Sequence, residues 1–125
     1  MNARTGLVMG ALLLVGTGCG RHYEEHQVRD VRANAGGVLR ASSLTVSLPE
    51  GAVLTATVEP YDNNDDPMAD ADISTDAPEV LDVLRVAGDT AASFASVGRR
   101  AGTTTVRYYA EGREVRSERA TVTAR

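Results

Sequence analysis

From about residue 38 onward, the chain is a succession of short runs rich in Val, Thr, Leu and Ala. Gly, Pro and Asp clusters separate them at roughly the 8–12-residue spacing of an all-β sandwich. No stretch keeps a helical period, so the apolar residues can share a face only if the runs are strands. Alternation places strands over 44–48, 53–59, 71–75, 80–86, 91–97, 103–109 and 114–123, seven in all. In the second run Leu54, Ala56 and Val58 fall on one face and Thr55 and Thr57 on the other, and Pro60, lacking an N–H, is expected to end the ladder. Leu54, Leu81, Val83, Val106 and Tyr108 are expected in the core with Phe94 beside them. With 42% apolar but only 4% aromatic residues and no Trp, that core is built from small aliphatic side chains.

The first residues obey a different rule. Met1-Asn2-Ala3-Arg4 carries one positive charge, Leu7 to Val15 is apolar, and Gly16-Thr17-Gly18 is small, which is the layout of an export signal. A membrane-spanning helix needs about 20 apolar residues, more than twice this run. The chain has one Cys, so no intramolecular disulfide can form. Val15-Gly16-Thr17-Gly18-Cys19 resembles the lipobox of bacterial lipoproteins, although Gly16 stands where that family usually has Leu. The resemblance implies a signal peptide over 1–18, acylation of Cys19 as the new N-terminus, and a membrane held through the lipid. Gly20 after the Cys implies sorting to the outer membrane.

Residues 19–37 show neither period and are expected to be a flexible tether, with an edge strand near Val28 and Val31, ending at Gly36-Gly37. Within it, His22-Tyr23-Glu24-Glu25-His26 fits H-x-x-E-H, a zinc signature that works only on a helix carrying both imidazoles on one face. A tether offers no such helix, so the motif is set aside.

The domain expected over 38–125 also resembles a known family, over most of residues 44–124. Asp62-Asn63-Asn64-Asp65-Asp66-Pro67-Met68, then Ile73-Ser74-Thr75-Asp76-Ala77-Pro78-Glu79-Val80-Leu81-Asp82-Val83, then Ala101-Gly102-Thr103-Thr104-Thr105-Val106 are similar to the hairpin, corner and strand start of bacterial Ig-like domains of the Big group 2 and invasin-repeat type. The resemblance implies an Ig-like antiparallel β-sandwich of about seven strands. Ile73 replaces the usual core Trp and Asp65 or Asp66 the hairpin Gly, which implies a modestly stable domain of the same fold.

Charge is segregated along the chain. Glu59, Asp62, Asp65, Asp66, Asp70, Asp72, Asp76, Glu79 and Asp82 fall together with no Arg among them, whereas eight Arg face four carboxylates from Val83 onward. Asp62, Asn64 and Asp66 begin like a calcium loop, but Pro67 and Ile73 occupy positions where an EF-hand needs Gly and Glu. A looser calcium site on Asp62, Asn64, Asp66 and Asp70 is the alternative to a solvated turn. Arg107 and Tyr109 share a strand face opposite Glu114, Arg116 and Glu118, a pattern for cross-strand ion pairs. The net charge of −4 argues against nucleic acid. Both His lie ahead of the sandwich and Cys19 is taken by the lipid, so the domain lacks a His base and a thiol nucleophile and is expected not to be an enzyme. Sugar recognition by stacking has only Tyr61 and one of Tyr108 or Tyr109 to draw on. The expected function is therefore an interaction, adhesion or envelope-structural module. It would be exported and lipid-anchored in the cell envelope, face an envelope protein or surface ligand, and need no cofactor. A calcium- or ligand-binding surface domain using the Asp-rich loop 62–76 is the second reading.

Overall fold

The computed structural model describes residues 22–88 and 91–125. Nine strands run β1 (Tyr23–Ala33), β2 (Val38–Leu39), β3 (Val46–Pro49), β4 (Val53–Asp62), β5 (Asp72–Thr75), β6 (Leu81–Ala87), β7 (Ala92–Gly98), β8 (Gly102–Ala110) and β9 (Arg113–Thr123), with no helix among the described residues. They form a β-sandwich of two sheets, one in the order β1-β4-β7-β6 and the other β2-β3-β9-β8-β5. The first order and the β9-β8-β5 part of the second are those of the immunoglobulin-type sandwich. The seven expected strands are present; β1 and β2 add to them. One pair departs from the antiparallel expectation. The chain leaves the first sheet after β1, turns through Asn34–Gly37 and enters the second, so β3 lies parallel to the last strand, from Val46 opposite Ala120 to Pro49 opposite Thr123.

Period-2 alternation makes the core. Along β4 the even residues Leu54, Ala56 and Val58 are buried, and on the adjacent β7 Phe94 and Ala92 lie beside Ala56 and Val58 on the same inward face. Leu81, Val106 and Tyr108 complete the expected interior, while Val83 is only half-buried and packs against its margin. Ile73 packs against both halves of the core, opposite its cross-strand partner Tyr108.

Pro60 does not end its strand. In an antiparallel ladder a residue's N and O point to the same side, and the Pro60 carbonyl accepts the Met68 N–H at 2.8 Å. Its missing N–H therefore faces the loop and not β1, no β1 ladder bond is lost, and β4 continues to Asp62 opposite Tyr23.

The edge strand expected near Val28 and Val31 forms, but it takes up most of the segment expected as a flexible tether: residues 23–33 are an eleven-residue strand paired with β4. His26 opposite Pro60 and Val28 opposite Val58 point inward; Gln27 and Arg29 point outward, where Arg29 meets Glu59 at 3.1 Å. Register shifts between Tyr23 and Glu25 and between Arg29 and Arg32 interrupt the alternation, with Asp30 at a positive φ of 56° inside the second. Such a bulge bends an exposed edge and discourages pairing with another chain.

Two glycines are fixed by geometry. Gly102 opens β8 at a φ of 154°, where a β-branched residue would be strained. A Cβ on Gly98 would lie 2.6 Å from the Pro49 carbonyl oxygen and 3.3 Å from a Val122 methyl, because here β7 approaches the facing sheet backbone to side chain. Gly98→Ala should therefore destabilise the domain by about 1–3 kcal/mol through overpacking, read as a lower midpoint in urea unfolding. An unchanged midpoint would show that the sheets do not approach this closely.

Candidate functional site

The sandwich has two ends. β1 begins beside Asp62, so one end carries His22, the loop over 63–71, Gly88 after β6 and the Glu111-Gly112 turn. The opposite end carries the Glu50-Gly51 turn, the 76–80 corner and Arg99-Arg100.

At the first end the acidic loop is organised by one buried carboxylate. Asp62 is fully buried, and its Oδ1 accepts the N–H groups of Asn64 at 2.8 Å and Asp66 at 3.0 Å. Its own N–H donates to the Asp66 carbonyl at 2.9 Å, and Asn63 closes onto His22 through two further bonds. An Asx-type turn of this kind needs Asp at its first position. Of the four calcium candidates, Asp62 thus sits inside the turn it caps, while Asn64, Asp66 and Asp70 are exposed. Among the described residues, no three His, Cys, Asp or Glu side chains gather closely enough to hold a metal ion. Cys19 lies outside the described residues.

Beside this loop an open groove of about 610 Å³ is lined by Asp70, Asp72, Arg85, Gly88, Tyr109 and Gly112. Its cation is engaged: Arg85 donates to the carbonyls of Ala71 and Gly88, lies 3.9 Å from Asp72 and covers the Phe94 ring at 5.3 Å. Tyr109 accepts the Ser74 hydroxyl at 3.2 Å. Tyr61, the other candidate platform, donates to Glu59 at 2.9 Å.

A third polar group lies between the sheets, where sequence reasoning expected none. Arg116 does not join Glu114 on the outer face. A register shift between Glu114 and Arg116 turns β9 over, placing Glu114 opposite Tyr109 and Arg116 opposite the inward-facing Tyr108. Arg116 and Glu118 pair at 2.7 Å, half-buried, toward β1. There His26 stacks between Tyr23, at 5.1 Å, and Tyr108, at 5.3 Å, with its Nδ1 2.8 Å from the Tyr23 hydroxyl. Tyr108 donates across the core to the Leu44 carbonyl at 2.7 Å. Burial, reinforced by the Arg116 charge, pushes the His26 imidazole down to about 4. Burial also pushes the Tyr23 and Tyr108 phenols up.

The H-x-x-E-H spacing thus falls at the start of a strand. There, four residues span roughly 13 Å at about 3.3 Å each, and the second imidazole belongs to the core. On the outer face the expected ion pairs form around Arg107, which is bidentate to Asp76 at 2.7 and 2.8 Å and reaches Glu114 at 3.2 Å. The hydrogen bonds from Arg107 hold the Asp76 carboxyl below its ordinary range. His26 is packed in the core between Tyr23 and Tyr108 with the Arg116 charge nearby, and His22 is exposed and joined to Asn63 through its own backbone N–H and carbonyl.

No family model and no curated protein matches the chain. Solved structures do. Domains 4 and 5 of the S-layer protein SbsC superpose with a TM-score of 0.55 at 17% identity, over 90% of this chain and 56% of that one. A structure of SbsC domains 1–6 gives 0.59 at 18% identity, over 91% of this chain and 14% of that one. The chain is thus about half the length of the first and a small part of the second. At these identities the likeness is one of fold.

The His26 contacts set a pH dependence. The unfolded imidazole titrates near 6.5 and the folded one at about 4, so the unfolded chain binds the extra proton first. This contribution to stability is complete above pH 6.5, falls as the pH drops toward 4 and levels off below, for a total of about 3 kcal/mol. Urea midpoints measured from pH 7 to 4 should fall more steeply in the parent than in His26→Gln. Parallel profiles would remove the imidazole from the account.

Proposed function

We propose that this chain is an exported, lipid-anchored, non-catalytic module of the bacterial cell envelope, built on one Ig-like sandwich that presents its surface to another envelope component. The observation that carries the reading is the junction itself. An export signal ending in a lone Cys at position 19 is followed, four residues later, by the first strand of a sandwich whose interior is packed with side chains. The charged groups support the non-catalytic part: Asp62 caps a turn, Arg85 and Arg107 are multiply bonded, His26 is buried in the core and His22 is tied to Asn63 through its backbone. The S-layer protein that shares the fold supports an envelope setting. By the same lipobox resemblance, Gly20 after the Cys supports sorting to the outer membrane, and the thiol of Cys19 would take the lipid because thiolate is the nucleophile for alkylation.

The decisive measurement is the mass of the N-terminal peptide of protein recovered from membranes. The expected species begins at Cys19 and carries acyl chains. Cys19→Ser should move the protein from the membrane fraction to the soluble exported fraction. A mature chain cut elsewhere, or an unmodified Cys19 in membrane-bound protein, would overturn the anchor.

A further inference from the structure

We propose that the end of the sandwich bearing the 63–71 loop and the Glu111-Gly112 turn is a membrane-apposed face, lying directly against lipid headgroups. This deepens the reading above and rests on the lipid at Cys19. The argument is one of reach. The strand β1 begins at Tyr23, and Tyr23 pairs with Asp62 at the mouth of the acidic loop. Only four residue steps separate Tyr23 from Cys19, and a fully extended chain covers at most about 3.6 Å per step, so roughly 14 Å is the upper bound. Were 19–37 a tether, the domain could stand anywhere within several tens of ångströms. With residues 23–33 committed to the sheet, it cannot. The Asn63 bonds to His22 hold the entry point against the loop itself, the N–H of one residue to the carbonyl of the other at 2.9 Å.

The face is anionic as well as close. Carboxylates outnumber cations here: Asp65, Asp66 and Asp70 surround the Asp62 turn with Asp72 and Glu111 beside them, against Arg85, which is engaged with Asp72, and Arg113 on the hairpin. The Glu111 N–H donates to the Ala69 carbonyl at 2.8 Å, which joins the hairpin turn to the loop as one surface. Such a face sits on zwitterionic headgroups without penalty and is repelled by anionic ones within a Debye length of about 10 Å at 0.1 M salt. The opposite end, with Arg99 and Arg100, lies a ten-residue strand away, about 33 Å farther out, and is the end left to meet a partner.

The chain has no Trp, so single-Trp variants report position cleanly. Asn64→Trp places the probe on the exposed loop tip, and Arg100→Trp places it at the exposed far corner. Each full-length protein is recovered with its lipid and reconstituted in phosphatidylcholine vesicles containing a nitroxide-headgroup phosphatidylcholine. The 64 probe is expected to lose at least half its emission and the 100 probe essentially none. Replacing part of the phosphatidylcholine with phosphatidylglycerol should weaken quenching at 64 in low salt, and added salt should restore it. Equal quenching at both positions, or stronger quenching at 100, in protein whose acyl chains are verified by mass would overturn the apposed face and leave the anchor standing. Indifference to phosphatidylglycerol would overturn the electrostatic part. Absence of acyl mass on Cys19 would remove the anchor on which the proposal rests.

Discussion

The interior is organised around one phenol. Tyr108 belongs to the five-stranded sheet, yet its ring reaches His26 on the edge strand of the other, and its hydroxyl donates to the Leu44 carbonyl in the connection leading to β3. Leu44 is fully buried at a positive φ of 59°, a conformation a branched apolar residue does not adopt without compensation. A carbonyl held in that geometry, away from water, requires a donor, and Tyr108 supplies it. The same side chain therefore closes the β2–β3 connection and gives β1 something to pack against. Three segments distant in sequence meet on a single residue.

What that arrangement leaves at the surface bears on function. Charge is abundant but engaged: Arg107 is held by Asp76 and Glu114, Arg99 by Asp82 and Arg29 by Glu59. Exposed ion pairs of this kind contribute little to stability, but they keep broad faces polar and discourage indiscriminate association. The large apolar side chains that remain exposed, Leu84 and Val86 on the free edge strand β6 and Val31 and Val38 elsewhere, are few. The fold is thus a sandwich whose two ends differ in charge and in the loops they display.

The seven strands from residue 46 onward were legible because each follows period-2 alternation and each turn is marked by Gly, Pro or Asp. β1 was legible only as an edge strand near Val28 and Val31, because two register shifts break its alternation and its outward side chains are charged, so only His26 and Val28 signal an interior. The Asp62 loop was read as acidic, but its organisation by one buried carboxylate needed the fold. The interior position of Arg116 and Glu118 was hidden for the same reason as the length of β1. A single unpaired residue between Glu114 and Arg116 exchanges the faces of everything after it, and a bulge leaves no mark in hydrophobic pattern alone. Cys19 shows the converse: its signal lies wholly in sequence.

The parallel pairing of β3 with β9 has a mechanical consequence. β1 enters the sandwich beside Asp62, whereas β9 finishes beside Pro49 at the opposite end. A pull applied between these two points runs along the strand axes. It would load the β1–β4, β3–β9 and β8–β9 ladders in shear, so that many backbone hydrogen bonds share the force at once instead of opening one after another. A domain threaded in this direction resists extension with its strongest geometry, while the same ladders pulled from a common end would unzip.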